Sequence, residues 1–561
     1  GLLAITAGIA YVLWPSPTPS TTRVVPGPVA PSDPMTAAEP PKNLDEIIKE
    51  APKQKELESG PPPPGRPDFG VPKFNEPGNV RGPRGGPNLP GLPGGPPDRA
   101  KSAVPAPRFF PVEPLPISPT PMATDRVERT MPGPIENMVV AGGGRLLLLL
   151  LPRDRRVVVF DVNKGERVKL IPAEDDGVMV AGGMNLFVIY LPGKRVLERW
   201  SCKTLEREAE FRDAFPAEVK ALAMGSASNG PLVAALGGGR RTVHGGTTLG
   251  YFDPSTGKEV GYEIGGARNA MGVGLLNATA IVRVSADGSV VTAWGDNGHG
   301  GSQSDVIDGA RITRYWQFGW LDSLIPGPDG RTLYGKGLRY PPDLRAAGNP
   351  RENPNNSGWL IPAVQGEYFL SVRSQQAARG ARFDAARKTT ADILVGADGK
   401  SILNIGELPN FELPGGRGKT FDQFLALIPE AKVLAIVPTK NRDRLTLIRA
   451  DLDSALSKAE FDYLFVTSRP PTTAVKGEAY KYTVVTKSKK GGIKVTLESG
   501  PKGMAVTPAG VVTWDVPKNF AESEVGVILK VGDAGGKELF HSFRVAVRSK
   551  AEKKTPDPKG N

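Results

Sequence analysis

The sequence predicts an all-β protein, and three observations predict it. From Pro134 onward short apolar runs recur, separated by Gly, Asp-Gly or Asn-Lys-Gly turns. The runs return at a period of about 40–50 residues, which marks a chain built from repeated units. A second stretch, residues 463–548, alternates polar and apolar positions along further short runs. Composition narrows the rest. The chain has 561 residues, with 71 Lys and Arg against 59 Asp and Glu, for a net charge of +12. Of its 56 prolines, 32 lie between Pro15 and Pro134, so the folded material lies mostly beyond them. A single cysteine, Cys202, excludes an intrachain disulfide, and with only His244, His299 and His541 beside it no Cys/His metal cluster can be assembled. The length allows two to four domains, at roughly 100–200 residues each.

The first element is residues 1–14, GLLAITAGIAYVLW, which carry no charge and end in Tyr11 and Trp14. At about 1.5 Å per residue this covers about two thirds of a hydrocarbon core of about 30 Å. The expectation is a truncated transmembrane helix that tethers residues 15–561 outside the cytoplasmic membrane, in the periplasm or on the cell surface. The alternative is the remnant of a cleavable signal, which leaves a soluble secreted protein.

Residues 15–127 follow as a Pro/Gly-rich linker, with Pro61–Pro64 and the run Gly78–Pro97. Too little apolar side chain is present to offset ordering entropy, so the linker is expected to be disordered and semi-stiff from polyproline II stretches. Asn43–Lys55 interrupts it with a cap residue and one apolar face of Leu44, Ile47 and Ile48. Both a transient turn and a docking helix fit that segment.

The repeats occupy residues 128–460. Val157–Ile171, Leu197–Phe211 and Leu249–Ile264 align, with aromatic anchors Phe160, Trp200 and Phe252 spaced 40 and 52 residues apart. Each follows two more short runs, as in Met138–Pro152, Val178–Pro192 and Val219–Gly237, and Ala141-Gly142-Gly143 matches Ala181-Gly182-Gly183. Looser copies are expected at Ile281–Gly295, Ser323–Gly337, Asp392–Gly406 and Lys432–Leu452. Four short strands per period predict blades of a β-propeller, about seven by length. A pair of stacked sandwiches is the alternative. On these motifs the region resembles bacterial WD40-like or quinoprotein-like propellers, although no blade ends in Gly-His and Trp-Asp: the sole Trp514-Asp515 lies outside the repeats.

Residues 461–549 form the last folded module, ahead of a disordered tail at 550–561. Its pattern is Pro470-Pro471, Gly477-x-x-Tyr480-x-Tyr482, Gly500-Pro501-x-Gly503-Met504, Gly510-x-Val512-x-Trp514-x-x-Pro517 and Phe543-x-Val545-x-Val547. This resembles the Ig-like, cadherin-like repeats of bacterial surface proteins, which implies a β-sandwich with Met504 and Trp514 in its core. Clustered acidic motifs for calcium are missing, so no calcium is expected. Lys476–Lys502 holds seven lysines and two glutamates, which reads as a solvated hairpin or as attraction to an anionic surface.

Chemistry-bearing motifs are sparse. Gly415–Thr420 ends like a phosphate-binding loop, but Leu413 stands where the first glycine is needed. There is no Gly-x-Ser-x-Gly elbow and no His-Glu-x-x-His pair. The expectation is therefore no catalytic residue, no cofactor and no metal. Basic residues are dispersed among acidic ones, which speaks against nucleic acid as partner. The longest irregular stretches, Gly295–Asp308 and Arg339–Gly358, are expected to project from a rim, with Asp296, Asn297, His299, Asp305, Asp308, Trp316, Trp320 and Trp359 as contact candidates. The expected function is a non-catalytic, membrane-tethered scaffold that binds a protein or cell-envelope component. The alternatives are a cofactor-binding, quinoprotein-like propeller enzyme, or the external sensor half of a larger signalling protein.

Overall fold

The computed structural model describes residues 107, 109–237, 247–266, 280–295, 301–318, 323–345, 358–374, 388–396, 398–413, 421–468, 470–471 and 473–549. The anchor and most of the linker, residues 1–106, lie outside them, as does the tail at 550–561. No helix among the described residues is long and apolar enough to cross a membrane.

Strands between Arg126 and Arg449 form seven sheets among the described residues. The first holds Asn137–Ala141, Leu146–Leu151, Arg156–Asp161 and Glu166–Pro172 in antiparallel order. The second holds Met179–Gly182, Leu186–Leu191, Val196–Ser201 and Arg207–Arg212. The third runs from Glu218–Ala223 through Leu232–Gly237 and Thr248–Asp253 to a two-residue strand, Lys258–Glu259. The fourth takes Ala280–Val284, Val290–Gly295, Gly301–Asp308 and Arg311–Phe318, and adds Glu263–Gly266 as a parallel fifth strand. The fifth has three two-residue strands at Ile325–Pro326, Leu333–Tyr334 and Arg339–Tyr340. The sixth comprises Trp359–Pro362, Tyr368–Ser374, Thr389–Val395 and Lys400–Glu407. In the seventh, Leu425–Ile428, Val433–Ile436 and Arg444–Arg449 are completed by the sheet's earliest strand in the chain, Arg126–Thr130.

The first strand of each sheet lies beside the first strand of the next, from Asn137–Ala141 round to Trp359–Pro362. The turn Asp422–Phe424, just ahead of the seventh sheet, comes back against Asn137–Ala141 and closes the circle. This is a β-propeller. Second strands carry the apolar content: Leu146–Leu151, Leu186–Leu191 and Leu232–Gly237 are buried at every position. A strand covered on both faces reads as a continuous apolar run, and stacked neighbouring sheets cover both faces here.

The glycine turns of the repeats have a steric cause. A Cβ on Gly182 would sit 2.3 Å from the Val140 carbonyl oxygen, and one on Gly225 2.4 Å from that of Ser285. At this inner collar the backbones of neighbouring sheets bond directly, with Gly142 N to Gly183 O at 2.7 Å, Met184 N to Ser228 O at 2.7 Å and Ala227 N to Ala286 O at 2.8 Å.

Three sequence expectations shift. Asp392–Gly406 supplies the third and fourth strands of its sheet, not the first two, and Lys432–Leu452 the second and third. Ile264 belongs to the fourth sheet, not to the third. Gly301–Asp308 is a strand, not part of an irregular loop: it pairs on both sides, and Gln303 and Asp305 find each other and Arg314 in the interior.

A short helix, Leu452–Lys458, capped by the Asp451 carboxylate on Ser454 N, leads out of the ring. Beyond it Thr473–Val475, Glu538–Arg548, Glu524–Gly532 and Lys494–Ser499 form one sheet, and Ala479–Thr483, Val511–Asp515 and Met504–Val506 another. Met504 and Trp514 sit in the core between them, at 7% and 1% exposure. The lysine-rich turn meets the ring's exit segment. Lys487 pairs with Asp453, Lys489 Nζ donates to Ser457 O at 2.9 Å, and Lys490 Nζ lies 3.4 Å from Asp462. These lysines hold the sandwich to the exit helix, so the turn is not a freely solvated hairpin.

Candidate functional site

Asp296, Asn297, His299 and Trp320 lie outside the described residues, as do residues 346–357 of the second expected loop. The other candidates are placed, and they do not converge. Asp305 is fully buried. It accepts from Arg314 Nε and Nη2 at 2.9 and 2.7 Å, from Gln303 Nε2 at 3.0 Å, and from the Tyr251 hydroxyl at 2.5 Å across the third and fourth sheets. Burial pushes the Tyr251 phenol upward, and the adjacent carboxylate adds to it. Asp305 is therefore a structural cross-link between sheets, which corrects its reading as a rim contact. Asp308 pairs with Arg544 of the sandwich. Trp316 packs half-buried between the third and fourth sheets, and a Cβ on Gly301 would lie 2.1 Å from its ring. Trp359, 9% exposed, meets Phe421 edge-on at 5.3 Å and belongs to the core.

All seven sheets line a central cavity of about 230 Å3, through residues such as Val140, Val180, Leu222, Val282, Pro326, Pro362 and Ala426. Its wall is apolar over much of its area but also carries Asn137, Ser226, Gln423 and one ion pair. Arg283, on the first strand of the fourth sheet, grips Asp422 of the seventh sheet's entry turn, with Nη2 to Oδ1 at 2.9 Å and Nε to the other oxygen. Two sheets separate them one way round the ring and three the other, so the pair spans the channel. Burial disfavours the Arg283 charge, but the carboxylate's charge and hydrogen bonds outweigh it and raise the guanidinium pKa. Fully paired, neither group is placed for acid or base work. Among the described residues no cluster of three His, Cys, Asp or Glu could hold a metal. Cys202 is buried, and burial pushes its thiol to about 12, which keeps it from acting as a thiolate.

A second site lies on the rim that carries the turns between first and second strands, where residues 109–122 run extended across the third, second and first sheets. This segment falls within the stretch expected to be disordered linker. Asn185 accepts from Glu113 N at 2.8 Å and donates from Nδ2 to Glu113 O at 2.5 Å, so one side chain reads both backbone groups of a single residue. Asn229, 2% exposed, accepts Asn185 N at 2.9 Å and donates to Pro111 O at 2.8 Å. Asn163 accepts Ser118 N at 2.9 Å and donates to Pro116 O at 3.1 Å, and its own carbonyl accepts Thr120 N at 3.0 Å. Arg145 Nη1 adds a 2.9 Å bond to Pro116 O. Asp161 fixes that guanidinium at 2.7 and 2.8 Å, and its hydrogen bonds raise the Arg145 pKa.

Two glycines shape the floor. Gly230, at φ 144°, lies under the Phe109 ring, where a Cβ would come within 2.5 Å. Gly142, at φ 61°, makes room for Leu115, where a Cβ would come within 3.0 Å. Arg199 lies over the Phe110 ring at 5.3 Å, and Leu115, Ile117 and Met122 pack on the ring's apolar clusters. The sequence reading missed this site. Its signal is a side chain that can donate, Arg145, Asn185 or Asn229, at the entry to the second strand of three successive repeats.

No family model matches the chain, and no curated protein matches it. Among solved structures, the β-propeller domain of Myceliophteria thermophila Cps50 (Swd1) matches with a TM-score of 0.37 and 15% identity, over 57% of this chain and 99% of that one. The propeller assignment rests on the strand order and ring closure of the chain itself.

Proposed function

We propose that this chain is a non-catalytic binding scaffold: an about seven-bladed, WD40-like propeller and an Ig-like sandwich, held outside the cytoplasmic membrane by residues 1–14 and extended on a Pro/Gly-rich linker toward a protein or envelope partner. The observation that supports binding is the rim that holds residues 109–122 through side-chain-to-backbone hydrogen bonds. A surface that satisfies an extended polypeptide is already built into the ring. The apolar residues 1–14 support the anchor, and the Pro-Gly turns and Trp514 core support the Ig-like reading.

The test is quantitative pull-down with tagged full-length chain from native envelope extract. A full-length control carries Asn163→Ala, Asn185→Ala and Asn229→Ala. A reproducible protein partner whose recovery changes severalfold in the control supports the scaffold. Equal recovery of every protein from both chains removes the rim from the function. Sodium carbonate extraction tests the tether, which fails if the chain is released into the soluble fraction.

A further inference from the structure

We infer that the rim groove over the first three sheets is an exchangeable recognition site for an extended, proline-interrupted polypeptide segment of a partner, and that residues 109–122 occupy it in cis. This deepens the scaffold reading and rests on it. Three features of the groove define what it accepts. First, recognition is by backbone: the groove bonds the carbonyls of Pro111, Glu113 and Pro116 and the N–H groups of Glu113, Ser118 and Thr120. Prolines at 111, 114, 116, 119 and 121 leave their carbonyls available and stiffen the segment near polyproline II, so less order has to be imposed when it docks. Second, two positions are selected by close approach to glycines of the floor. An aromatic ring is wanted over Gly230 and an aliphatic side chain over Gly142, six residues apart as Phe109 and Leu115. Third, the residue between Asn185's two groups must keep its N–H, so proline is excluded at the Glu113 position.

The cis segment is hydrogen-bonded to the groove, yet much of it stays open to solvent. Phe110 and Val112 stay 47% and 37% exposed, and Glu113, Pro114 and Pro116 are exposed. Among the described residues no strand of the ring pairs with it. It is covalently continuous with the closing strand at Arg126, so it competes with any incoming segment at the high effective concentration of a tethered ligand. A partner's apparent affinity is lowered by the fraction of grooves so filled, and weakening the cis segment raises it.

The experiment measures fluorescence anisotropy of a fluorescein-labelled synthetic peptide of residues 107–122 against full-length protein, with a scrambled peptide as control. Phe109→Ser with Leu115→Ser in the full chain is expected to bind the peptide at least about tenfold tighter than wild type. Adding Asn163→Ala and Asn185→Ala is expected to abolish that gain. A variant that keeps the wild-type melting temperature and binds the peptide no better than the scrambled one overturns the proposal. Should the variant unfold, hydrogen exchange of the wild-type chain decides. The amides of Glu113, Ser118 and Thr120 must exchange at least about tenfold faster than those of Leu146–Leu151, as local opening requires. Equal rates make the segment an integral part of the ring and overturn the proposal. A wild-type dimer seen by light scattering that is lost in Phe109→Ser with Leu115→Ser makes the occupant a second copy and overturns the partner assignment. Failure of the peptide titration leaves partner capture by other faces intact, so the two readings fail separately.

Discussion

At the residue scale, Asp305 shows how a fully buried carboxylate is satisfied. Four donor atoms from Arg314, Gln303 and Tyr251 satisfy it at zero exposure, so its removal strands a guanidinium between two sheets. Asp305→Ala is expected to lose roughly 3–5 kcal/mol of stability, and Tyr251→Phe roughly 1.5–3 kcal/mol, both read by urea unfolding followed by tryptophan fluorescence. Losses within experimental error of zero would remove the cross-link from the account. His541 tests pH. Burial, with the charge of Arg331, pushes its pKa from 6.5 down to about 4, and its Nε2 lies 3.0 Å from the Tyr482 hydroxyl. Above pH 6.5 the ring is neutral in both states and contributes no slope. Between 6.5 and about 4 the unfolded chain binds a proton that the folded chain refuses, so stability falls as pH falls, by about 3 kcal/mol over the window. His541→Asn should flatten that part of the stability profile; an unchanged slope would assign it to other groups.

At the element scale, the ring closes through a strand pair made of chain far apart in sequence: Arg126–Thr130 against Arg444–Arg449, with Arg126 opposite Ile448 and Thr130 opposite Arg444. Adjacent residues of a strand point their N–H groups to opposite sides, so prolines at both Val127 and Glu128 must delete at least one bond of this ladder. That double substitution is expected to lower stability by roughly 1–3 kcal/mol, the cost of leaving a ladder group unpaired, and to speed proteolysis of the seventh sheet. An unchanged urea midpoint would show that the seam does not hold the ring. The element scale is also where sequence reading lost phase. Met138–Pro152 and Val178–Pro192 were legible as first and second strands because their Ala-Gly-Gly turns need glycine, for positive φ at Gly142 and Gly143 and for neighbouring backbone at Gly182 and Gly183. Asp392–Gly406 carries the same strand-turn-strand rhythm in the third and fourth positions, and nothing in the alternation of side chains distinguishes one hairpin of a sheet from another.

At the scale of the whole molecule, the Arg283–Asp422 pair ties nearly opposite sheets across the central channel. Asp422 is only 9% exposed, so either group left alone is poorly solvated. In a double-mutant cycle of Arg283→Met and Asp422→Leu, the coupling is expected at roughly 0.5–3 kcal/mol. The double variant should recover most of what each single one loses, because an apolar pair of similar volume suits the channel wall. Strictly additive losses would show that the two residues act separately.

By itself, the sequence determined that the chain is all-β and built of repeated, mostly four-stranded units. Alternating and continuous apolar runs, and glycines where backbones touch, are local consequences of packing and are written into local sequence. Only the tertiary structure decided the sites. Asp305 looked like loop chemistry and became a buried link, Asp308 turned toward the sandwich, and Arg283 and Asp422, 139 positions apart, met across the channel. The rim groove was hidden for the same reason. Asn163, Asn185 and Asn229 are ordinary turn residues singly, and become a binding surface only when ring closure sets three sheets side by side under one extended segment.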